Sequence, residues 1–159
     1  MGIDPGKLAP VERSVHVPLR PKEAFRLFTE RMEEWWPLET HSIAAGREEE
    51  PAGLTVEPRE GGRIFETAPD GTEAAWGRIR DWQPGARLGI TWHVGRDEAE
   101  ATEVTVTFTP TDQGTMVHLV HDGWEALGGA ATAIQAGYGP GWELVLGRFA
   151  LAVGRIVPA

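Results

Sequence analysis

Residues 137–154 read Gly-Tyr-Gly-Pro-Gly-Trp-Glu-Leu-Val-Leu-Gly-Arg-Phe-Ala-Leu-Ala-Val-Gly, a glycine-rich start followed by an apolar helix pattern. The large side chains recur at steps of three and four and therefore share one helical face: Tyr138, Trp142, Val145, Phe149 and Val153. The glycines are predicted to bring the backbone close to a sheet before the helix starts. A late helix pressed into a curved sheet can leave a cavity, which either a ligand or the protein's own side chains could fill.

The chain upstream of this helix begins with one predicted strand and one predicted helix. Residues 11–17 alternate apolar and polar side chains, which predicts a strand with one wet face. Pro21 suits the first turn of a helix, and an apolar stripe continues from there to about Glu34. The Trp-Trp-Pro run at 35–37 closes this helix, because proline disfavours helical geometry at the residue before it. Residues 38–53 are expected to be irregular, with one helical turn.

Six further strands are predicted where the apolar period falls to two. They cover residues 54–57, 62–67, 73–82, 86–94, 102–109 and 115–121. The segments between them are short and rich in turn-forming residues, which favours antiparallel pairing. The order of strand, helix, six strands and helix predicts an α+β fold with one antiparallel sheet and helices on a single face.

Several short motifs, taken with this element order, resemble one known family. They are Trp35-Trp36-Pro37, Gly61-Gly62-Arg63, Asp70-Gly71, the run from Thr115 to Trp124, and Gly141-Trp142. From about Val11 to Arg155 the sequence is similar to the activator of Hsp90 ATPase homologue 1-like (AHSA1-like) proteins of the START-like, or SRPBCC, superfamily. The resemblance implies a helix-grip fold, in which a bent antiparallel sheet wraps around a long C-terminal helix and short helices follow the first strand. It also implies a pocket between the sheet and that helix.

Length and composition limit the other classes of function. The 159 residues suit a single domain, predicted over residues 11–157 after a flexible leader at 1–10. There is no cysteine, which excludes disulfides and thiolate chemistry. The net charge of −9, from 24 acidic and 15 basic residues, opposes nucleic-acid binding. No apolar run approaches the roughly 18 residues of a membrane span, so we expect no span and a cytoplasmic location.

Aromatic side chains are the candidate ligand-binding residues. We predict a pocket lined by Trp35, Trp36, Trp76, Trp92, His121, Trp124, Tyr138 and Trp142. The same rings could instead fill the core, because aromatic side chains dominate packing in any fold. His121 shares a strand face with Val117 and Leu119, so it points inward if they do. His121 and Tyr138 are expected to donate or accept hydrogen bonds, and His121 is the one weak candidate for an acid or base. The alternative is a histidine satisfied by backbone or by Asp122.

The remaining chemical motifs are not diagnostic. His41 and Ser42 are adjacent in an irregular segment, a spacing that rarely gives the geometry for nucleophilic attack. His118 and His121 fall on opposite strand faces, and no paired-histidine metal motif occurs, so no metal is predicted. The glycine run at 137–141 lacks the strand and the spacing of a phosphate-binding loop. We expect no cofactor, and the sequence indicates no oligomeric state.

Three functions follow from the residues and the resemblance together. The first is a bacterial AHSA1-like protein with a stress-related role that binds a hydrophobic or aromatic small molecule between the sheet and the last helix. The second is a cyclase or hydrolase that uses the same cavity, with Glu66 or Arg78 assisting His121 if their strands turn them inward. The third is an Hsp90-type co-chaperone that contacts a chaperone through its surface. We expect a binding protein rather than an enzyme.

Overall fold

The elements follow the predicted order closely. The computed structural model describes residues 8–156, so most of the predicted leader and residue 157 lie outside the described residues. The strands are β1 (Val11–Val17), β2 (Gly53–Val56), β3 (Arg63–Thr67), β4 (Glu73–Gln83), β5 (Arg87–Trp92), β6 (Thr102–Thr111) and β7 (Gly114–Asp122). The α-helices are α1 (Pro21–Thr29), α2 (Met32–Trp35) and α3 (Ala131–Ile156), with 3₁₀ helices at Ala44–Arg47, Glu98–Glu100 and Trp124–Ala130.

The seven strands form one antiparallel sheet in the order β1-β7-β6-β5-β4-β3-β2. Consecutive strands from β2 to β7 are neighbours in the sheet, and the connection from β5 to β6 contains the 3₁₀ helix Glu98–Glu100. β1 forms the edge opposite β2 and pairs with β7, with Val11 opposite His121. The sheet curls around α3, which packs against β1. This arrangement confirms the predicted α+β helix-grip fold. None of the helices within residues 8–156 is long and apolar enough to cross a membrane.

The early helix is shorter than predicted and is split in two. α1 ends at Thr29, whose hydroxyl donates to the Phe25 carbonyl at 2.8 Å, and Arg31 leaves helical geometry with φ −110° and ψ 22°. A second short helix then begins at Met32. Trp36 adopts extended geometry before Pro37, as the sequence predicts. The prediction of one helix through about Glu34 was therefore wrong at the break, because local side-chain bonding there competes with the helical pattern.

The long helix starts earlier than predicted. α3 begins at Ala131, so the glycines at 137–141 lie inside the helix rather than before it. Pro140 sits on the exposed face, where the carbonyl that it leaves unpaired can be solvated. A Cβ atom added at Gly139 would lie 2.8 Å from Nη2 of Arg13 on β1, so this glycine leaves room for the end of the Arg13 side chain.

Two aromatic regions fill the space between α3 and the sheet. The phenyl core consists of Phe25, Phe28, Phe108 and Phe149 with Trp35, and its contacting ring centroids are 5.2–5.9 Å apart. The indole cluster lies toward the N-terminal half of α3 and consists of Trp36, Trp76, Trp92, Trp124 and Trp142 with His121 and Tyr138. Trp35 and Trp36 join the two regions, with centroids 5.8 Å apart.

Candidate functional site

The indole cluster places all but one of the predicted site residues in a single contiguous group. Neighbouring ring centroids within it are 4.2–6.1 Å apart, distances typical of packed aromatic pairs. Trp76 and Trp124 are 0% and 1% exposed. Trp35 contacts the cluster only at its edge and belongs to the phenyl core. Much of the space predicted as a pocket is therefore occupied by the rings themselves.

One cleft remains beside the indole cluster. It has a volume of about 200 Å³ and is lined by Trp36, Thr40, His41, Ser42, Trp92, Val94 and Tyr138. Three of the predicted residues, Trp36, Trp92 and Tyr138, thus form its aromatic walls. Larger depressions in the described residues lie elsewhere and have many charged side chains, including one of about 600 Å³ around Arg96. We take the aromatic cleft as the candidate site because its lining combines apolar walls with a few polar groups.

His121 lies behind the cleft with both ring nitrogens engaged. The Trp142 indole donates to His121 Nδ1 at 3.0 Å, and His121 Nε2 lies 2.6 Å from the Thr102 hydroxyl. Because an indole can only donate, Nδ1 must be the acceptor and Nε2 carries the hydrogen. The Thr102 hydroxyl in turn donates to the Trp92 carbonyl at 3.1 Å. This chain of bonds joins α3, β7, β6 and β5.

Burial determines the charge of His121. The side chain is 0% exposed, and this desolvation lowers its pKa from 6.5 to about 3. The ring is therefore neutral near pH 7, and it offers a ligand no free nitrogen. The geometry favours a structural role, the alternative that the sequence left open, although the predicted partner Asp122 is replaced by Trp142 and Thr102.

Trp92 and Tyr138 both line the cleft, and the Trp92 indole nitrogen makes no well-formed hydrogen bond. Trp92 is 4% exposed, and its Nε1 is buried and makes no hydrogen bond to any residue in 8–156. The Tyr138 side chain is half-buried, and burial raises the pKa of its phenol, while the neighbouring Trp92 indole and Arg96 guanidinium oppose that rise. Tyr138 is thus a neutral hydroxyl on the cleft wall, as its predicted role requires.

Residues 36–42 form the rim of the cleft and are held by hydrogen bonds. The Trp36 indole donates to the His41 carbonyl at 2.7 Å, and the Ser42 hydroxyl donates to the Leu38 carbonyl at 2.8 Å. The Ser42 oxygen also accepts from the Ala45 backbone N–H at 3.0 Å. Ser42 therefore stabilises the turn.

His41 contributes an imidazole to the same rim. Its Nδ1 lies 2.7 Å from the Thr40 hydroxyl, and partial burial lowers its pKa below 6.5. Glu39, two residues earlier, forms an ion pair with Arg148 on α3. The rim is therefore attached to the same helix that supplies Tyr138.

Glu66 on β3 connects the segment that follows the rim to the indole cluster. Its carboxylate is 2% exposed and accepts from the backbone N–H groups of Ile43 and Ala44, at 2.7 and 3.0 Å. It also accepts from the Trp76 indole at 2.6 Å. Three donors satisfy this buried carboxylate and start the short 3₁₀ helix at Ala44. Of the two residues named as catalytic assistants, Glu66 faces inward and Arg78 is exposed on the outer face of the sheet.

Four cleft residues were not predicted from the sequence: Thr40, His41, Ser42 and Val94. Their nearness in the chain to Trp36 and Trp92 is the signal that could have found them. Across residues 8–156, no three potential metal ligands from His, Asp or Glu side chains come together.

Comparison with known proteins identifies the family. The family model described as Activator of Hsp90 ATPase homolog 1-like protein matches residues 18–154. The chain belongs to this AHSA1-like family. The resemblance stated from the sequence motifs is therefore confirmed. No curated protein matches the chain.

Solved structures of AHSA1-like and related proteins share the fold. Protein MLL2253 from Mesorhizobium loti is 18% identical with a TM-score of 0.67, over 94% of this chain and 100% of its own. The AHSA1-like protein from Aeromonas hydrophila is 18% identical with a TM-score of 0.62, over 93% and 94%. The anthrahydroquino-γ-pyrone synthase Txn09, solved as a complex, is 34% identical with a TM-score of 0.59, over 92% and 98%.

Proposed function

We propose that this AHSA1-like protein binds an aromatic small molecule in the cleft between the rim and the indole cluster. The observation that carries the proposal is a cleft walled by the rings of Trp36, Trp92 and Tyr138, next to a buried Trp92 Nε1 that makes no well-formed hydrogen bond. An unsatisfied buried donor costs about 1–3 kcal/mol, so such groups are uncommon unless they have a use. Trp36 and Tyr138 provide flat apolar surfaces on which a ring can stack.

The volume of the cleft limits the size of the ligand. Its 200 Å³ is below the roughly 300–1,000 Å³ of sites for drug-sized molecules. A cavity of about 150 Å³ is enough for benzene in another protein. The cleft therefore suits a compact ligand of one or two rings, and a larger ligand would require the rim to move outward.

The identity to Txn09 supports an aromatic ligand. That relative is named as an anthrahydroquino-γ-pyrone synthase and was solved as a complex, and it aligns over 92% of this chain. An anthrahydroquinone is a flat, hydroxylated aromatic compound, which matches the chemistry of the indole walls. The family match alone would support only the fold and a general capacity for binding.

Binding is tested by isothermal titration and thermal unfolding with 2-acetylnaphthalene as the probe. We expect saturable binding and a rise in stability of about 2.7 kcal/mol when free probe is at a hundredfold its Kd. Val94→Phe should abolish both, because the larger side chain fills the cleft. Val120→Phe is the control, since Val120 is a half-buried strand residue outside the cleft. Binding that survives Val94→Phe unchanged would place the ligand elsewhere.

A cyclase-type enzyme is the second candidate, favoured by the 34% identity to a synthase. Because His121 is neutral with both nitrogens bonded, it is a poor acid or base, whereas His41 at the rim offers an imidazole in reach of a bound molecule. Conversion of an aromatic polyketide by wild type, lost in His41→Ala with ligand affinity retained, would favour the enzyme. Retained conversion in that variant would remove His41 from the reaction.

A further inference from the structure

Most buried indole N–H groups of the indole cluster have a protein acceptor. Trp36 donates to the His41 carbonyl, Trp76 to Glu66 and Trp142 to His121. Within the described residues the two buried indoles without a partner are Trp92 and Trp124. Of these two indoles, Trp92 lines the cleft and Trp124 does not. The Trp92 Nε1 is enclosed, so a ligand in the cleft bonds to it only after a neighbouring side chain shifts.

Tyr138 provides a second donor next to the first. The Trp92 indole lies close enough to the Tyr138 hydroxyl to oppose the rise in the Tyr138 pKa as a hydrogen-bond partner does, although the contact falls short of a well-formed hydrogen bond. An indole N–H can only donate, whereas a neutral phenol can accept one hydrogen bond and donate another. If Trp92 Nε1 donates to the phenol oxygen, the phenol hydrogen is free to point into the cleft.

We propose that the cleft selects aromatic ligands with a neutral, hydrogen-bond-accepting oxygen on the ring system, such as an aryl ketone or a quinone. This inference rests on the proposed function and specifies its ligand class. The carbonyl oxygen accepts from the Tyr138 hydroxyl or the Trp92 indole, and the attached rings stack against Trp36. A carboxylate is a poorer fit, because a charged group pays a larger desolvation cost in a wall of indoles.

A matched pair of probes separates the hydrogen bond from ring stacking. 2-Acetylnaphthalene carries the carbonyl oxygen, and 2-isopropenylnaphthalene has a CH₂ group in its place with nearly the same shape. Isothermal titration of wild type should give a Kd about tenfold lower for the ketone, the size expected when a buried unpaired donor gains a partner. Equal affinities for the two probes would overturn the inference while leaving aromatic binding intact. Binding of neither probe would overturn the proposed function as well.

Tyr138→Phe tests the hydroxyl without removing the ring. The variant keeps the contacts of the ring with His121 and Trp142, so we expect the fold to be retained. The preference for the ketone should fall to about threefold or less, and affinity for 2-isopropenylnaphthalene should not change. An unchanged preference would remove Tyr138 from the interaction. Tighter binding of 2-naphthoate than of the ketone would overturn the choice of a neutral oxygen.

Trp92 is tested by a spectroscopic measurement, because replacing a buried indole could disturb the cluster. In a ¹H–¹⁵N spectrum, the indole resonance that Trp92→Phe removes identifies the Trp92 Nε1–H. Saturation with the ketone should move this resonance downfield, as a new acceptor does, and saturation with 2-isopropenylnaphthalene should not. The proposal is contradicted if both probes move the Trp92 resonance equally and Tyr138→Phe leaves the preference for the ketone unchanged.

Discussion

Trp142 on α3 donates its indole N–H to Nδ1 of His121 at the end of β7, with a distance of 3.0 Å. The opposite nitrogen of the same ring bonds to Thr102 on β6, so one imidazole connects the long helix to two strands. Tyr138 lies one helical turn before Trp142 and stacks on it with an interplanar angle of 22°. The wall of the cleft is therefore positioned by a neutral histidine that does not itself reach the cleft lining.

The first prediction concerns the pH dependence of stability. The His121 pKa is lowered to about 3, so the unfolded chain binds a proton near pH 6.5 that the folded protein does not take up until about pH 3. The contribution of His121 to the free energy of unfolding is therefore fully present above pH 6.5. It is lost as the pH falls from 6.5 toward 3, at up to about 1.4 kcal/mol per pH unit. Urea unfolding at intervals from pH 7.5 to 4.5 measures this slope.

His121→Gln is the control for that slope. Glutamine does not titrate, so the variant should be less stable at pH 7.5 but should lose much less stability between pH 6.5 and 5. Carboxylates with lowered pKa values, such as Asp70 and Asp81, lose their contribution only at more acidic pH. Equal slopes for wild type and variant above pH 5 would show that His121 is not the group responsible.

The second prediction concerns Glu66, whose carboxylate binds the segment that follows the rim. Glu66→Gln replaces one acceptor oxygen by an NH₂ group, which cannot accept from the Ile43, Ala44 or Trp76 donors that now bond to the carboxylate. We expect a loss of about 2–4 kcal/mol in the free energy of unfolding, since a buried donor is left unpaired. Hydrogen exchange at Ile43 and Ala44 should also become faster.

Glu33→Gln is a matched control for Glu66. Glu33 accepts from the Leu54 backbone N–H at 3.0 Å, but its side chain is exposed, so water can replace the lost bond. We expect a loss of less than about 1 kcal/mol and no change in exchange at residues 43 and 44. Similar losses in the two variants would contradict the role given to burial at Glu66.

The fold could be predicted from the sequence because its strands keep a local pattern. Residues 103–109 alternate polar and apolar side chains, and the strand that forms, Thr102–Thr111, buries the apolar set and leaves the polar set exposed or half-buried. β5 ends at Trp92 rather than at residue 94, because the Arg96 N–H bonds to the His93 carbonyl and starts a turn. Such a turn depends on backbone geometry that period-two alternation does not report.

The site was only partly predictable because its decisive contacts are distant in the chain. The period-two pattern of β7 correctly predicted that His121 faces inward. The partners of His121, Thr102 and Trp142, lie 19 and 21 residues away in the chain. Whether the rings line a cavity or fill it depends on their rotamers, which no spacing determines. The 3₁₀ helix that follows the rim depends in the same way on Glu66, which lies 22 residues after Ala44 in the chain.

The third prediction contrasts two apolar residues of α3. Phe149 is 0% exposed and contacts Phe28 and Trp35, so Phe149→Ala should lower the free energy of unfolding by about 3–5 kcal/mol. Leu151, two residues later, is 61% exposed. Leu151→Ala should change the free energy of unfolding by less than about 0.5 kcal/mol. A larger loss at Leu151, dependent on protein concentration, would reveal a self-association that buries this face.

The last prediction contrasts two glycines. A Cβ atom at Gly77 on β4 would lie 1.7 Å from the Thr91 carbonyl oxygen on β5, and backbone on this neighbouring strand cannot move aside cheaply. Gly77→Ala should therefore cost more than about 3 kcal/mol or prevent folding. Gly147 is exposed on α3 with open space around its Cβ position, so Gly147→Ala should stabilise the protein by about 0.5–1 kcal/mol. Urea unfolding of both variants checks the contrast, and a loss below 1 kcal/mol at Gly77 would mean that β4 and β5 are not so closely apposed.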